Sequence, residues 1–116
     1  MSLVTSKEIL ADAQKNGYAV GSFNVENMEM VQAVIEAAEE ENAPVILQTT
    51  PSTVKYASML VYLANVAALA QTAKVPVVMH LDHGSSYELA AQALRAGYTS
   101  IMIDGSKLPL EENIAL

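Results

Sequence analysis

The densest group of reactive side chains in this sequence is His80-Leu81-Asp82-His83-Gly84-Ser85-Ser86. Imidazole is a common zinc ligand, and an adjacent carboxylate can act beside it as acid or base. The strand period of two puts His80 and Asp82 on one face, with His83 turning away as the chain leaves the strand. His80 sits deep in an apolar run, where a histidine is expected to be buried, neutral and hydrogen-bonded rather than ligating. Taken alone, Asp82 equally suits a helix cap or a loop acid, and His83 a loop position. Local chemistry by itself therefore makes a metal site the weaker reading. A catalytic zinc also takes about three protein ligands and keeps one position open. The chain has two histidines, of which one is well placed. The other ligands must come from carboxylates, another chain or sequence outside these residues.

Further polar residues gather where strands are expected to end: Asn24, then Thr49 and Thr50, then Asp82 and His83, then Asp104, Gly105 and Ser106. In parallel α/β folds the loops converge over the C-terminal strand ends, so that is where sites form. Any loop is polar, however, and the pattern alone is weak. Asp104 can face a site or cap the turn that Asp-Gly favours. Lys107 can meet a phosphate, although a lone lysine is expected to be solvated. Met28, Met30, Met59, Met79 and Met102 sit in apolar contexts and are expected to fill the core.

The elements that must position these residues alternate. Ser6 can cap a helix from Lys7 to Asn16, which Gly17 ends. Ala19 to Asn24 reads as a short strand. Asn27 can cap a helix reaching about Asn42, with Met28, Val31, Val34, Ile35 and Ala38 at helical spacing. Glu39-Glu40-Glu41 at its end is read as a solvated face, unfavourable to the helix dipole. Residues 44–49 and 76–81 read as buried strands. Pro51 and Ser52 are expected to open a loop, followed by one helical stretch to about Lys74. Ser85 and Glu88 have capping-box spacing for the next helix, which Gly97 ends. A strand over 99–103 and a helix from Leu110 follow. Four βα units in succession predict an α/β fold with parallel strands.

Composition narrows the function. In 116 residues, apolar types make up 52% and charged types 16%, which describes a globular chain. A net charge of −7 argues against nucleic-acid binding and against a helix drawn to anionic membranes. There is no cysteine, so disulfides and thiolate zinc sites are excluded. Met1 to Lys15 lacks the pattern of a signal peptide, and no run reaches a membrane span, so a cytoplasmic location is expected. No Gly-rich phosphate loop follows the first strand.

The stretch Pro76 to Asn113 resembles the class II, metal-dependent fructose-bisphosphate aldolases and the related tagatose-bisphosphate aldolases. The likeness runs through Pro-Val-Val-Met-His-Leu-Asp-His-Gly-Ser-Ser, Ala-Leu-Arg-Ala-Gly-Tyr-Thr-Ser-Ile-Met-Ile-Asp-Gly-Ser and Leu-Pro-Leu-Glu-Glu-Asn-Ile. Upstream, Asn16-Gly17-Tyr18-Ala19-Val20, Phe23-Asn24 and Ala43-Pro44-Val45-Ile46 match in order and spacing. The resemblance implies a (β/α)8 TIM barrel, of which residues 1–116 form the first four βα units as a single domain, the N-terminal half. It implies reversible, zinc-dependent cleavage of fructose 1,6-bisphosphate to glycerone phosphate and glyceraldehyde 3-phosphate, with zinc as Lewis acid on the ketone. His83 would be one of three zinc histidines. Asp82 would be the acid/base that exchanges a proton with the C4 hydroxyl. Asp104 would hold a second cation, divalent or monovalent. Asn24 and Thr50 would contact the substrate, with Thr50 standing where some members have serine. A homo-oligomer, dimer or tetramer, is implied for a full-length enzyme.

The family's other two zinc histidines, its glycine-rich phosphate segment, its Asn-rich strand end and its proton-abstracting glutamate lie outside these residues. The resemblance thus implies that residues 1–116 alone do not close the zinc site and are inactive by themselves. Gly84 resembles the fructose branch, since tagatose enzymes often carry a second histidine there. Two alternatives belong to other classes. One is a noncatalytic half-barrel that self-associates through its open strand edges. The other is a stand-alone flavodoxin-like domain, which rests on topology alone.

Overall fold

The computed structural model describes residues 3–116. Of the Met1–Lys15 stretch read for a leader, Met1 and Ser2 lie outside them. Ten elements run in the order α1 Ser6–Asn16, β1 Gly21–Asn24, α2 Met28–Glu40, β2 Val45–Thr49, α3 Pro51–Ala57, α4 Met59–Ala70, β3 Val77–Gly84, α5 Tyr87–Ala96, β4 Ser100–Ile103 and α6 Leu110–Ala115. The four strands form one parallel sheet in the order β1-β2-β3-β4. A flavodoxin-like sheet reverses its strand order at a switch point. Sequential order has no such reversal, so the flavodoxin-like alternative falls.

Most boundaries follow local chemistry. Asn27 caps α2 by accepting from the Met30 amide at 2.8 Å. Gly17 (φ 72°) and Gly97 (φ 117°) end α1 and α5 in the left-handed region that glycine tolerates. Two caps differ from expectation. Ser6 lies inside α1, and its hydroxyl shares a 3.1 Å hydrogen bond with Ser100. Ser86, rather than Ser85, caps α5 through the Leu89 amide at 3.1 Å.

Pro51 and Ser52 form the first turn of α3 rather than the expected loop, since proline suits a helix's first position. The expected single helix is two helices, bent by 93° at Ser58. Ser58 has φ 80° and ψ 151°, a conformation costly for any residue with a Cβ. The sequence there carries no glycine or proline to announce the break. Ser58→Gly is expected to raise stability by about 1 kcal/mol in urea unfolding, after allowing for glycine's freer unfolded chain. A lowered midpoint would show that the bend is not strained. No single helix among the described residues is long and apolar enough to cross a membrane.

Strand alternation sorts the core. Val45, Leu47, Val77, Met79 and Leu81 face α2 and α4, where they pack with Val31, Ile35, Tyr62 and Val66. The other face begins with Ile46 and Val78 against Ile9 of α1, backed by Val4 and Val20. Helix α1 therefore covers the N-terminal end of that second face. Two of the five methionines read as core are buried, Met59 and Met79. Met28, Met30 and Met102 are 50%, 37% and 41% exposed, which corrects that expectation. Met28 and Met30 precede Val31, where the buried stripe of α2 begins, and Met102 lies on an edge strand.

Candidate active site

Towards the C-terminal strand ends, the face that α1 leaves open becomes polar. Parallel register sets Asn24 beside Gln48, Gln48 beside His80 and His80 beside Ser100. Asp82 is two residues further along the same face of β3. His80 is half-buried, and its Nδ1 pairs with the Ser100 hydroxyl at 2.8 Å. Burial pushes its pKa down, against the pull of Asp82. The expectation of a neutral, hydrogen-bonded histidine agrees with this geometry.

His83 behaves differently because the β3–β4 register shifts between Leu81 and Gly84. His83 takes φ 53°, which turns its side chain out of the strand pattern. That side chain is 61% exposed, and Nδ1 lies 2.7 Å from Asp104 Oδ2. A carboxylate can only accept, so Nδ1–H donates, and in the neutral ring Nε2 keeps a free lone pair. Nε2 is 3.8 Å from Asp82 Oδ2. Asp104 also accepts from the Ser106 amide at 3.0 Å, so it both caps its turn and faces His83. Gly84 answers a packing need: a Cβ there would stand 2.7 Å from the Met102 carbonyl oxygen. Its presence is thus explained without reference to the sugar.

The Asp104 hydrogen bond, then the Asp82 charge, raise the His83 pKa above its ordinary 6.5. Hydrogen bonding by Ser106, then His83, holds Asp104 well below its ordinary 3.8. The fold thus favours charged His83, a contribution present below pH 6.5 and lost as pH rises through the raised value. It favours charged Asp104, a contribution present above pH 3.8 and lost as pH falls through the lowered value. The pair is fully formed between those limits. In an NMR titration, Asp104→Asn is expected to bring the His83 midpoint back towards its ordinary value. An unmoved midpoint would show that Asp104 is not the cause.

Asn24 joins the cluster through Gln48, a residue that sequence reasoning missed. Gln48 Nε2 donates to Asn24 Oδ1 at 2.7 Å and to Asp82 Oδ2 at 2.9 Å. Gln48 Oε1 accepts from the Ser22 hydroxyl. The available signal was a lone amide in the apolar strand Val45–Thr49, two positions from Ile46 on the same face. Thr50 is not hydrogen-bonded into this group. Its hydroxyl pairs with Ser52 at 2.9 Å and Thr53 at 3.1 Å, and Thr53 in turn donates to Glu26 at 2.8 Å. A cleft of about 570 Å³ opens beside His83 and Asp104, bounded also by Ser52, Ser85, Ser106 and Lys107. Lys107 is therefore a cation at the rim of the same cleft.

Among the described residues, no three His, Asp or Glu side chains are gathered to hold a metal. His83 alone fits as a zinc ligand: it is exposed, and its Nε2 lone pair is set by a carboxylate on Nδ1. The chain thus offers one imidazole and a supporting acid, fewer donors than a catalytic zinc takes.

Comparison with known proteins decides the family. The family model for class-II fructose-bisphosphate aldolase matches residues 4–116. The chain belongs to the class II fructose-bisphosphate aldolase family. A fructose-bisphosphate aldolase of Staphylococcus aureus (strain Mu50) is 48% identical over 118 residues, spanning 99% of this chain and 41% of the relative. One from Thermus caldophilus is 53% identical over 112 residues, spanning 97% of this chain and 36% of the relative. The crystal structure of the YdjI aldolase from Escherichia coli K12 superposes with a TM-score of 0.91 at 39% identity, over 98% of this chain and 44% of that one. The chain therefore spans about two fifths of the length of these aldolases. Its four parallel βα units are the N-terminal half of the (β/α)8 aldolase barrel. The open polar face of the sheet is the inner face of that half.

Proposed function

We propose that residues 1–116 are one domain, the first four βα units of a class II aldolase that cleaves fructose 1,6-bisphosphate reversibly. The products would be glycerone phosphate and glyceraldehyde 3-phosphate. One observation carries the reading: Asp82, His83 and Asp104 converge at the C-terminal strand ends in a chain of this family. Asp82 is the acid/base. As a carboxylate it accepts the C4 hydroxyl proton, the C4 oxygen becomes the aldehyde, and the C3–C4 bond breaks with its electron pair left on C3, which takes up a proton in turn to give glycerone phosphate. In the reverse direction Asp82 returns the proton. Its side chain is 21% exposed, which leaves it accessible from the open face. His83 holds zinc through Nε2, and Asp104 fixes the tautomer and can bear on a second cation. Zinc, when bound, supplies a Lewis acid for the substrate ketone. Asn24 and Thr50 contact the sugar bisphosphate. The remaining zinc ligands lie outside these residues, so the 116-residue chain is inactive alone. A cytoplasmic homo-oligomer, dimer or tetramer, completes the reading; tagatose 1,6-bisphosphate is the alternative substrate, with the resemblance at Gly84 favouring fructose.

The test grafts these residues onto the C-terminal remainder of the Staphylococcus aureus relative. Chelator-sensitive cleavage of fructose 1,6-bisphosphate by this chimera is the expected result. A second reading, a noncatalytic half-barrel that self-associates, is favoured by the unpaired outer edges of β1 and β4. Leu110 and Ile114 on α6 add apolar surface, at 70% and 71% exposure. The isolated chain is accordingly expected to show a native mass above 12.4 kDa. A monomer with cooperative unfolding would count against association.

A further inference from the structure

We infer that Gln48 is a positioning residue for this site, its side-chain amide aiming the Asp82 carboxylate and the Asn24 amide into the open face. What that aim serves rests on the aldolase reading above. The amide has a determined orientation. Its oxygen takes the Ser22 hydroxyl, and its nitrogen serves two acceptors, Asn24 Oδ1 and Asp82 Oδ2. Turned over, the amide would set its oxygen against both of those oxygens with no proton between them. Both N–H groups and the carbonyl are therefore used as they stand.

Two consequences follow for the neighbours. Asp82 is pinned at both oxygens, Oδ2 by Gln48 and Oδ1 by the His83 amide at 3.1 Å. Each oxygen retains a second lone pair for an incoming hydroxyl. Asn24 spends its Oδ1 on Gln48, which leaves its NH₂ as a donor for a substrate oxygen. A residue lacking the amide would free both side chains to sample other rotamers. Such loosening matters because a reacting group must be held close to its productive geometry.

The experiment compares Gln48→Met, which keeps the side-chain length, with Gln48→Glu, which sets a second carboxylate beside Asp82. In the 116-residue chain, NMR coupling constants are expected to show one χ1 rotamer for Asp82 and Asn24. Both variants should give averaged values, and single rotamers persisting in Gln48→Met would overturn the inference. In the chimera, Gln48→Met is expected to lower kcat by about tenfold to a hundredfold with KM little changed. Gln48→Met combined with Asp82→Ala should be no slower than Asp82→Ala alone, whereas independent, multiplying losses would assign Gln48 a merely structural role. A chimera inactive with every native residue in place would count against the aldolase reading. The rotamer measurement decides the positioning claim in either case.

Discussion

Asp82→Ala is expected to reduce turnover of fructose 1,6-bisphosphate by the chimera about a thousandfold, within the usual range for loss of a general acid/base. Zinc content should be unchanged, because Asp82 is read as the proton carrier and His83 as the ligand. The separation is physical. Asp82 is held from the sheet side by Gln48 and its own neighbour's amide, whereas His83 swings out through the register shift to meet Asp104. Asp82→Asn should resemble Asp82→Ala in rate, since an amide cannot take the C4 proton. Undiminished turnover in either variant would remove Asp82 from the reaction.

His83→Ala should lose both zinc and activity. Removing a supporting partner of a metal ligand costs roughly 10–100-fold in affinity. Removing the ligand itself is expected to exceed that, so zinc affinity should fall by more than about a hundredfold. Asp104→Asn supplies the internal control. It leaves Nε2 in place but releases the tautomer, and about a tenfold weakening is expected. Metal titration of the three proteins should therefore rank wild type above Asp104→Asn and Asp104→Asn above His83→Ala. Equal affinity of His83→Ala and wild type would exclude His83 as a ligand.

The sequence made the scaffold legible wherever one residue governs a local choice. Asn27 stops free amides, and Gly17 and Gly97 take left-handed turns, so those helix ends fall where the residues demand. Two β-branched, apolar runs gave the central strands. The break at Ser58 was not legible, because it is imposed by packing against a local preference. The register shift at Leu81–Gly84 was equally hidden. Alternation carries no record of a bulge, although His83 was expected to leave the strand pattern and does. Met28 and Met30 show a further limit: apolar type at helical spacing does not reveal where a helix stops touching its sheet.

The candidate site divides along similar lines. Asp82, His83 and Asp104 stood out by type and by position at strand ends. Their meeting required the fold, since His83 and Asp104 lie on different strand ends and touch at 2.7 Å. Gln48 was overlooked because a neutral amide within an apolar strand, the one signal available, names no chemistry by itself. Its weight comes from register, which sets it beside Asn24 on one side and His80 on the other. Thr50 illustrates the converse. Its type and position stood out in the sequence, whereas its local hydrogen bonds to Ser52 and Thr53 could be read only from the fold.

The central claim is that these residues carry the proton-transferring and part of the metal-binding half of a class II aldolase. Its most direct test is the rate of fructose 1,6-bisphosphate cleavage by the chimera, measured before and after chelation and again after zinc is restored. The account predicts cleavage that chelator abolishes and zinc returns. A chimera that folds and retains zinc yet does not cleave the bisphosphate would contradict it.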